Sequence, residues 1–112
     1  MNTVIISGRL TKNPEVKTYT SEDKNNLFAK FSIAHNHSND KVTFIDVVAF
    51  NKQAELVGEY LFKGTKILLN AELTLNAWED DNGQKRSRHE LVLNSFEFME
   101  SKPAEAKDAE TE

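Results

Sequence analysis

Residues 42–78 read VTFIDVVAF NKQAELVGEYLFKG TKILLNAELTLNAW, and three periodicities follow one another in that stretch. Side chains of a strand alternate between two faces, so residues two apart share a side. From Val42 to Phe50, Thr43, Ile45, Val47 and Ala49 fall on one side, and Phe44, Asp46, Val48 and Phe50 on the other. From Asn51 the apolar spacing changes to that of a helix, with Ala54, Leu56, Val57, Tyr60 and Leu61 on one face. Asn51 is a candidate N-cap, and Lys63-Gly64 supplies the stop. Alternation then resumes. Ile67, Leu69, Ala71, Leu73, Leu75 and Ala77 make an unbroken apolar side, expected to fill the core. Leu68, Asn70, Glu72, Thr74, Asn76 and Trp78 lie opposite. The stretch therefore reads strand, helix, long strand.

The flanking sequence completes the pattern. Residues 3–10 alternate through Val4, Ile6 and Leu10 until Lys12-Asn13-Pro14 breaks the run, and Glu15 to Tyr19 reads as a short continuation. Ser21 to Asn26 reads as a polar loop. Leu27, Ala29, Phe31 and Ile33 form the core side of a second strand, with Phe28, Lys30 and Ser32 opposite, and His35 to Lys41 is a further polar loop. After Trp78, Asn82-Gly83 is a strong hairpin signal, and a last strand runs from about Lys85 to Met99. Five strands with one helix between the third and fourth predict an all-β chain, a five-stranded Greek-key barrel of the OB type. The barrel is assigned to residues 1–100. Residues 101–112, rich in Ala, Glu, Lys and Asp, are expected to be a disordered acidic tail.

Composition removes several classes of function. The chain of 112 residues has no cysteine, which excludes thiol chemistry, disulfides and cysteine-bearing zinc sites. No apolar run reaches the roughly 20 residues of a membrane span. The start, Met1-Asn2-Thr3-Val4, lacks a basic segment followed by an apolar one, so a cytoplasmic location is expected. Net charge is −4, and residues 1–100 hold 12 basic against 14 acidic side chains. A reader of duplex DNA carries a clear basic excess, whereas a protein that stacks bases needs positive charge only locally.

The aromatic positions carry the functional reading. Trp78 falls on the polar side of its strand, and Phe44 and Phe50 share a side with Asp46. Aromatics on a polar face are free to stack on a flat partner, and nucleic-acid bases are the commonest one. Arg86 and Arg88 share a parity just across the hairpin turn from Trp78, which suits phosphate contacts. Lys17, Lys30 and Lys52 are further candidates for the backbone. His35, His37 and His89 lack the surrounding ligands of a metal site, and Glu79-Asp80-Asp81 reads as turn chemistry, so neither metal nor cofactor is expected.

Several blocks also resemble a known family. Residues 2–16 (NTVIISGRLTKNPEV), Thr43 to Phe50, and Lys52, Ala54-Glu55, Glu59-Tyr60-Leu61 and Lys63-Gly64 look like bacterial and phage single-stranded DNA-binding proteins. Trp78, Gly83, Arg86 and Glu90 have that family's spacing around its last two strands. The resemblance implies an OB fold, assembly as a homo-oligomer, usually a tetramer, and sequence-independent binding of single-stranded DNA. It places base stacking on Phe44, Phe50 and Trp78, and basic contacts on Lys17, Lys52 and Arg86. It further implies roles in DNA replication, recombination and repair, with partners among replication or recombination proteins. This chain departs from the family pattern at Thr74 and Asn76, where many members carry arginines, at Asp46, where some have a basic residue, and in the loop from His35 to Asp40, where members often carry a further aromatic; residues 101–112 show no apolar docking tip.

Two other readings compete. An OB-fold adaptor of replication restart would bind proteins first and DNA second; Trp78, Phe50 and the Lys63-Gly64 block fit a single-strand binder better. A nuclease would need carboxylates that hold a divalent metal, and only Glu79, Asp80 and Asp81 beside Arg86 qualify, all on one turn. No enzymatic activity is expected.

Overall fold

The structure, a computed structural model, describes residues 1–100; the expected tail, residues 101–112, lies outside the described residues. Six strands and one helix follow in order: β1 (Val4–Leu10), β2 (Glu15–Ser21), β3 (Lys24–Asn36), β4 (Val42–Phe50), α1 (Lys52–Tyr60), β5 (Lys66–Glu79) and β6 (Lys85–Phe98). The sheet order is β1-β5-β6-β4-β3-β2, and pairing of β1 with β3 closes it into a barrel. All neighbours are antiparallel except β4 and β6, which meet in parallel at Val47–Leu91 and Val48–Val92.

The strand count differs from the expected five, and the reason lies at Thr11–Pro14. Arg9 and Leu10 pair with Ala34 and Ile33, and the β3 ladder resumes with Glu15 opposite Lys30. β1 and β2 are thus one line of chain along β3, broken where Pro14 cannot donate to a ladder. Thr11 bridges the break, its amide donating to the Ser32 carbonyl at 3.0 Å. Counted as one interrupted strand, they leave a five-stranded barrel with the helix after its third strand.

Ser21–Asn26 is not a loop. β2 and β3 form a hairpin whose turn is Glu22-Asp23, both in the left-handed region at φ 53° and 63°. Two consecutive residues of positive φ make the turn whose twist suits a two-residue hairpin. Asn51 precedes α1 but does not cap it with its side chain. At φ 52° its carboxamide oxygen accepts from the Leu27 amide at 3.2 Å, which ties the helix entry to β3.

The core joins the inward residues of every barrel strand to one face of α1. Ala29, Phe31 and Ile33 of β3, Val47 and Ala49 of β4, Ile67, Leu69 and Ala71 of β5, and Leu91 and Leu93 of β6 are buried. Ala54, Val57 and Leu61 close one end. The apolar side of β5 is not all core, however. Leu73 and Leu75 are 45% and 58% exposed. β1 flanks β5 only from Lys66 to Ala71, so beyond that point the β5–β6 ribbon projects past the barrel. A bulge at Asn94 shifts the register of β6: Ser95 pairs with Asn70, and Leu93 with Ala71. It lets odd-numbered Leu91 and Leu93 and even-numbered Phe96 and Phe98 all face the core.

Candidate nucleic-acid interface

The outward residues of β2, β3, β4, β6 and β5 form one continuous surface. Cross-strand pairing sets Lys17 beside Phe28, Phe28 beside Phe50, Lys30 beside Val48, Ser32 beside Asp46, and Ala34 beside Phe44. On the projecting ribbon, Trp78 pairs with Arg86, Asn76 with Arg88, and Thr74 with Glu90. Partners at matched positions of a ladder share a face, and the β4–β6 pairing joins the two halves.

Each side chain is held in a definite way. Phe44 is 69% exposed near the rim, while Phe50 and Trp78 are each 41% exposed. Phe28 packs on Phe50 with ring centroids 5.4 Å apart and planes tilted by 53°. Trp78 is covered on one side by Arg88, whose guanidinium carbon lies 5.8 Å from the indole centroid, within cation–π range. Beside Phe28 runs a shallow groove lined by Lys17, Lys30, Val48 and Asn76 and by the acids Glu15 and Glu90. It continues past Lys30 and Ser32 toward Lys12, Asp46 and Arg88. A groove with cations along it and aromatics beside it can seat a charged polymer with flat bases.

The arginines of this surface are paired with acids. Arg88 Nη1 lies 2.5 Å from Asp46 Oδ2, and Ser32 Oγ donates to Asp46 Oδ1 at 2.7 Å. The Ser32 hydroxyl, then Arg88 and more distant Lys30, hold the Asp46 carboxyl below its usual range. Arg86 Nε lies 3.0 Å from Asp80 Oδ2. Asp80 is held low by Arg86 first and then by the amides of Gln84 and Asn82, both of which donate to its Oδ1 at 2.9 Å. The acidic triplet thus contributes a turn acid, with Gly83 at φ 80° completing the hairpin.

The surface brings together seven of the eight residues singled out from the sequence: Phe44, Phe50, Trp78, Arg86, Arg88, Lys17 and Lys30. Lys52 lies apart, on the first turn of α1, with its ammonium 3.5 Å from Glu55. The sequence reading passed over Phe28 and Tyr19, which share the parity of Lys17 and Lys30 across the β2–β3 ladder. The alternation of residues 27–33 already placed Phe28 opposite the core, and that was the available signal. Of the histidines, His35 Nδ1 lies 2.8 Å from the Ser7 carbonyl and His37 Nε2 lies 2.7 Å from Thr43 Oγ1.

A closed barrel with aromatics and cations across one face defines an OB-type binding module. Residues 1–99 match the single-strand binding protein family, and the chain belongs to that family. It is 38% identical over 111 residues to a single-stranded DNA-binding protein of Wolinella succinogenes, covering 92% of this chain and 67% of the relative. For proteins of the same name from Fusobacterium nucleatum and Helicobacter hepaticus, identity is 41% and 37%, over 91% and 92% of this chain and 69% and 64% of theirs. The chain spans about two thirds of the length of these relatives.

Proposed function

We propose that this chain is a non-catalytic, sequence-independent binder of single-stranded DNA that protects and organises it during replication, recombination and repair. One observation carries the reading: the aromatic positions of β3, β4 and β5 lie on one face, with arginines and lysines between them. Bases stack on Phe44, Phe50 and Trp78, while Arg86, Arg88, Lys17 and Lys30 meet phosphates, and Lys52 contributes from α1. Stacking on aromatic faces tolerates every base, which makes the binding independent of sequence. The barrel of residues 1–100 is the binding unit. The proposed site of action is the cytoplasm, where the DNA it would cover lies. Among the described residues no helix is long and apolar enough to cross a membrane.

The chain acts as a homo-oligomer, a tetramer on the family pattern. Exposed Leu73 and Leu75 on the ribbon support this, since they are apolar and lie on the opposite side of β5 from Trp78. Asn2 braces the same region, its carboxamide exchanging hydrogen bonds with the Leu73 backbone at 2.8 and 2.9 Å. Replication and recombination proteins are the expected further partners.

The test uses the single tryptophan. Quenching of Trp78 fluorescence by oligo-dT, reversed by salt with a log–log slope of about −0.7 per phosphate contact, supports the reading. Absence of binding in the folded chain overturns it.

A further inference from the structure

Asp46 is the one acid on the outward side of β4, and it stands between Phe44 and Phe50 on that strand. Two strands pin it: Ser32 of β3 donates to one carboxylate oxygen and Arg88 of β6 to the other. The Asp46 side chain is 23% exposed, while Arg88 remains 50% exposed. The acid is therefore largely covered and the guanidinium is open toward solvent. Arg88 is also the cation that covers Trp78. A carboxylate presents two oxygens to a guanidinium much as a phosphate does. A guanidinium that stays half-exposed in such a pair gains little net energy from it, so a phosphate can compete for it.

We propose that Asp46 is an internal stand-in for a phosphate: it parks Arg88 over Trp78 in the free protein and yields it to the backbone of a bound single strand. The inference rests on the single-strand reading above. Asp46 is then a positioning residue, and it sets both the affinity and the salt dependence of this face. With Asp46 ionised, Arg88 enters binding already neutralised, and the exchange releases no net counterion. The freed carboxylate is left beside the phosphate that displaced it, which weakens binding further.

Asp46→Asn in the full chain tests this, with oligo-dT as the probe and Trp78 fluorescence as the signal at several salt concentrations. The amide keeps the size of the side chain and can still accept from Ser32. The expected result is binding tighter by up to about tenfold at low salt and a salt slope steeper by about 0.7, one further phosphate contact. In an Arg88→Gln background the gain should vanish. A gain of equal size there would mean that Asp46 acts only as a general negative charge, and would overturn the proposal. So would an Asp46→Asn chain with unchanged affinity and slope. If Asp46→Asn does not fold, Ser32→Ala removes one pin and should shift affinity the same way by less; no shift overturns the proposal. These outcomes presuppose a wild-type chain that binds oligo-dT, and its failure to bind overturns the single-strand reading instead.

Discussion

The ring of Phe28 lies 5.4 Å from that of Phe50, tilted by 53°, at directly paired positions of β3 and β4. The two form a joint platform, so a base that stacks on Phe50 rests on a ring already held by its tilted neighbour. Phe28→Ala should weaken oligo-dT binding by about 1–3 kcal/mol, the range for loss of one stacking aromatic. Combined with Phe50→Ala, the losses should fall short of additive by about 0.5–1.5 kcal/mol, the usual coupling of an aromatic pair. Titrations of the two single variants and the double variant measure both quantities. Unchanged affinity in Phe28→Ala would remove that residue from the binding face.

Arg86 differs from Arg88 in its partner. It is tied to Asp80, a residue of the hairpin turn rather than of the sheet face. Because Asp80 already neutralises it, Arg86→Gln should weaken binding by a similar factor for every oligonucleotide sequence and leave the salt slope nearly unchanged. Lys63→Gln, in the turn after α1, should leave both affinity and slope unchanged. A slope lower by about 0.7 in Arg86→Gln would show that Asp80 does not neutralise Arg86 in the free protein.

Much of this architecture was legible because strand parity is a local signal. Leu27 to Ile33 and Thr43 to Phe50 declare their inner and outer faces without help from the rest of the chain, and so the aromatic face could be read. What failed was non-local. Leu73 and Leu75 continue the apolar parity of β5, yet the strand that would cover them stops pairing at Ala71. The extent of a flanking strand is not written in the strand it flanks. The bulge at Asn94 left a trace, since Leu91 and Leu93 are odd and Phe96 and Phe98 even, but a single residue of slippage is visible only once the partner is known. Phe28 was missed as a site residue because its meaning depends on Phe50 across the ladder. Glu22-Asp23 were missed because Glu seldom adopts positive φ and no Asn or Gly marks the turn, although Asp23 is of a type enriched there.

Gly8 is required by close packing. A Cβ built there would stand 2.8 Å from the Ala34 carbonyl oxygen and 3.1 Å from Ile33, where β1 crosses β3 to close the barrel. The near atom is backbone and cannot turn aside. Gly8→Ala should destabilise the fold by about 1–3 kcal/mol, as overpacking does. Gly83→Ala, in open space at φ 80°, should cost about 1 kcal/mol, from backbone conformation alone. Urea unfolding of the two variants compares them, and a larger loss at Gly83 would contradict the tight closure at Gly8.

Acid should weaken the fold through three carboxylates. Asp46, Asp80 and Glu100 are each held below the ordinary range, by Ser32, Arg86 and Arg9 in first place. For Glu100 the partner is Arg9 Nη2, 2.6 Å from Oε2, at the point where β1 meets the end of the barrel. A depressed carboxyl contributes stability that is fully present above its unfolded-state value and is lost as pH falls through the lower folded-state value. Unfolded Asp and Glu titrate near about 3.9 and 4.3, so stability should be level from pH 7 to about 5 and fall steadily below about 4. Asp46→Asn should melt below wild type at pH 7, with the gap narrowing as acid protonates Asp46 in the wild type. Melting curves at pH 7, 5, 4 and 3 give the comparison. A gap that stays constant across that range would mean that the Ser32–Asp46–Arg88 arrangement owes its stability to shape and not to the ionised carboxylate.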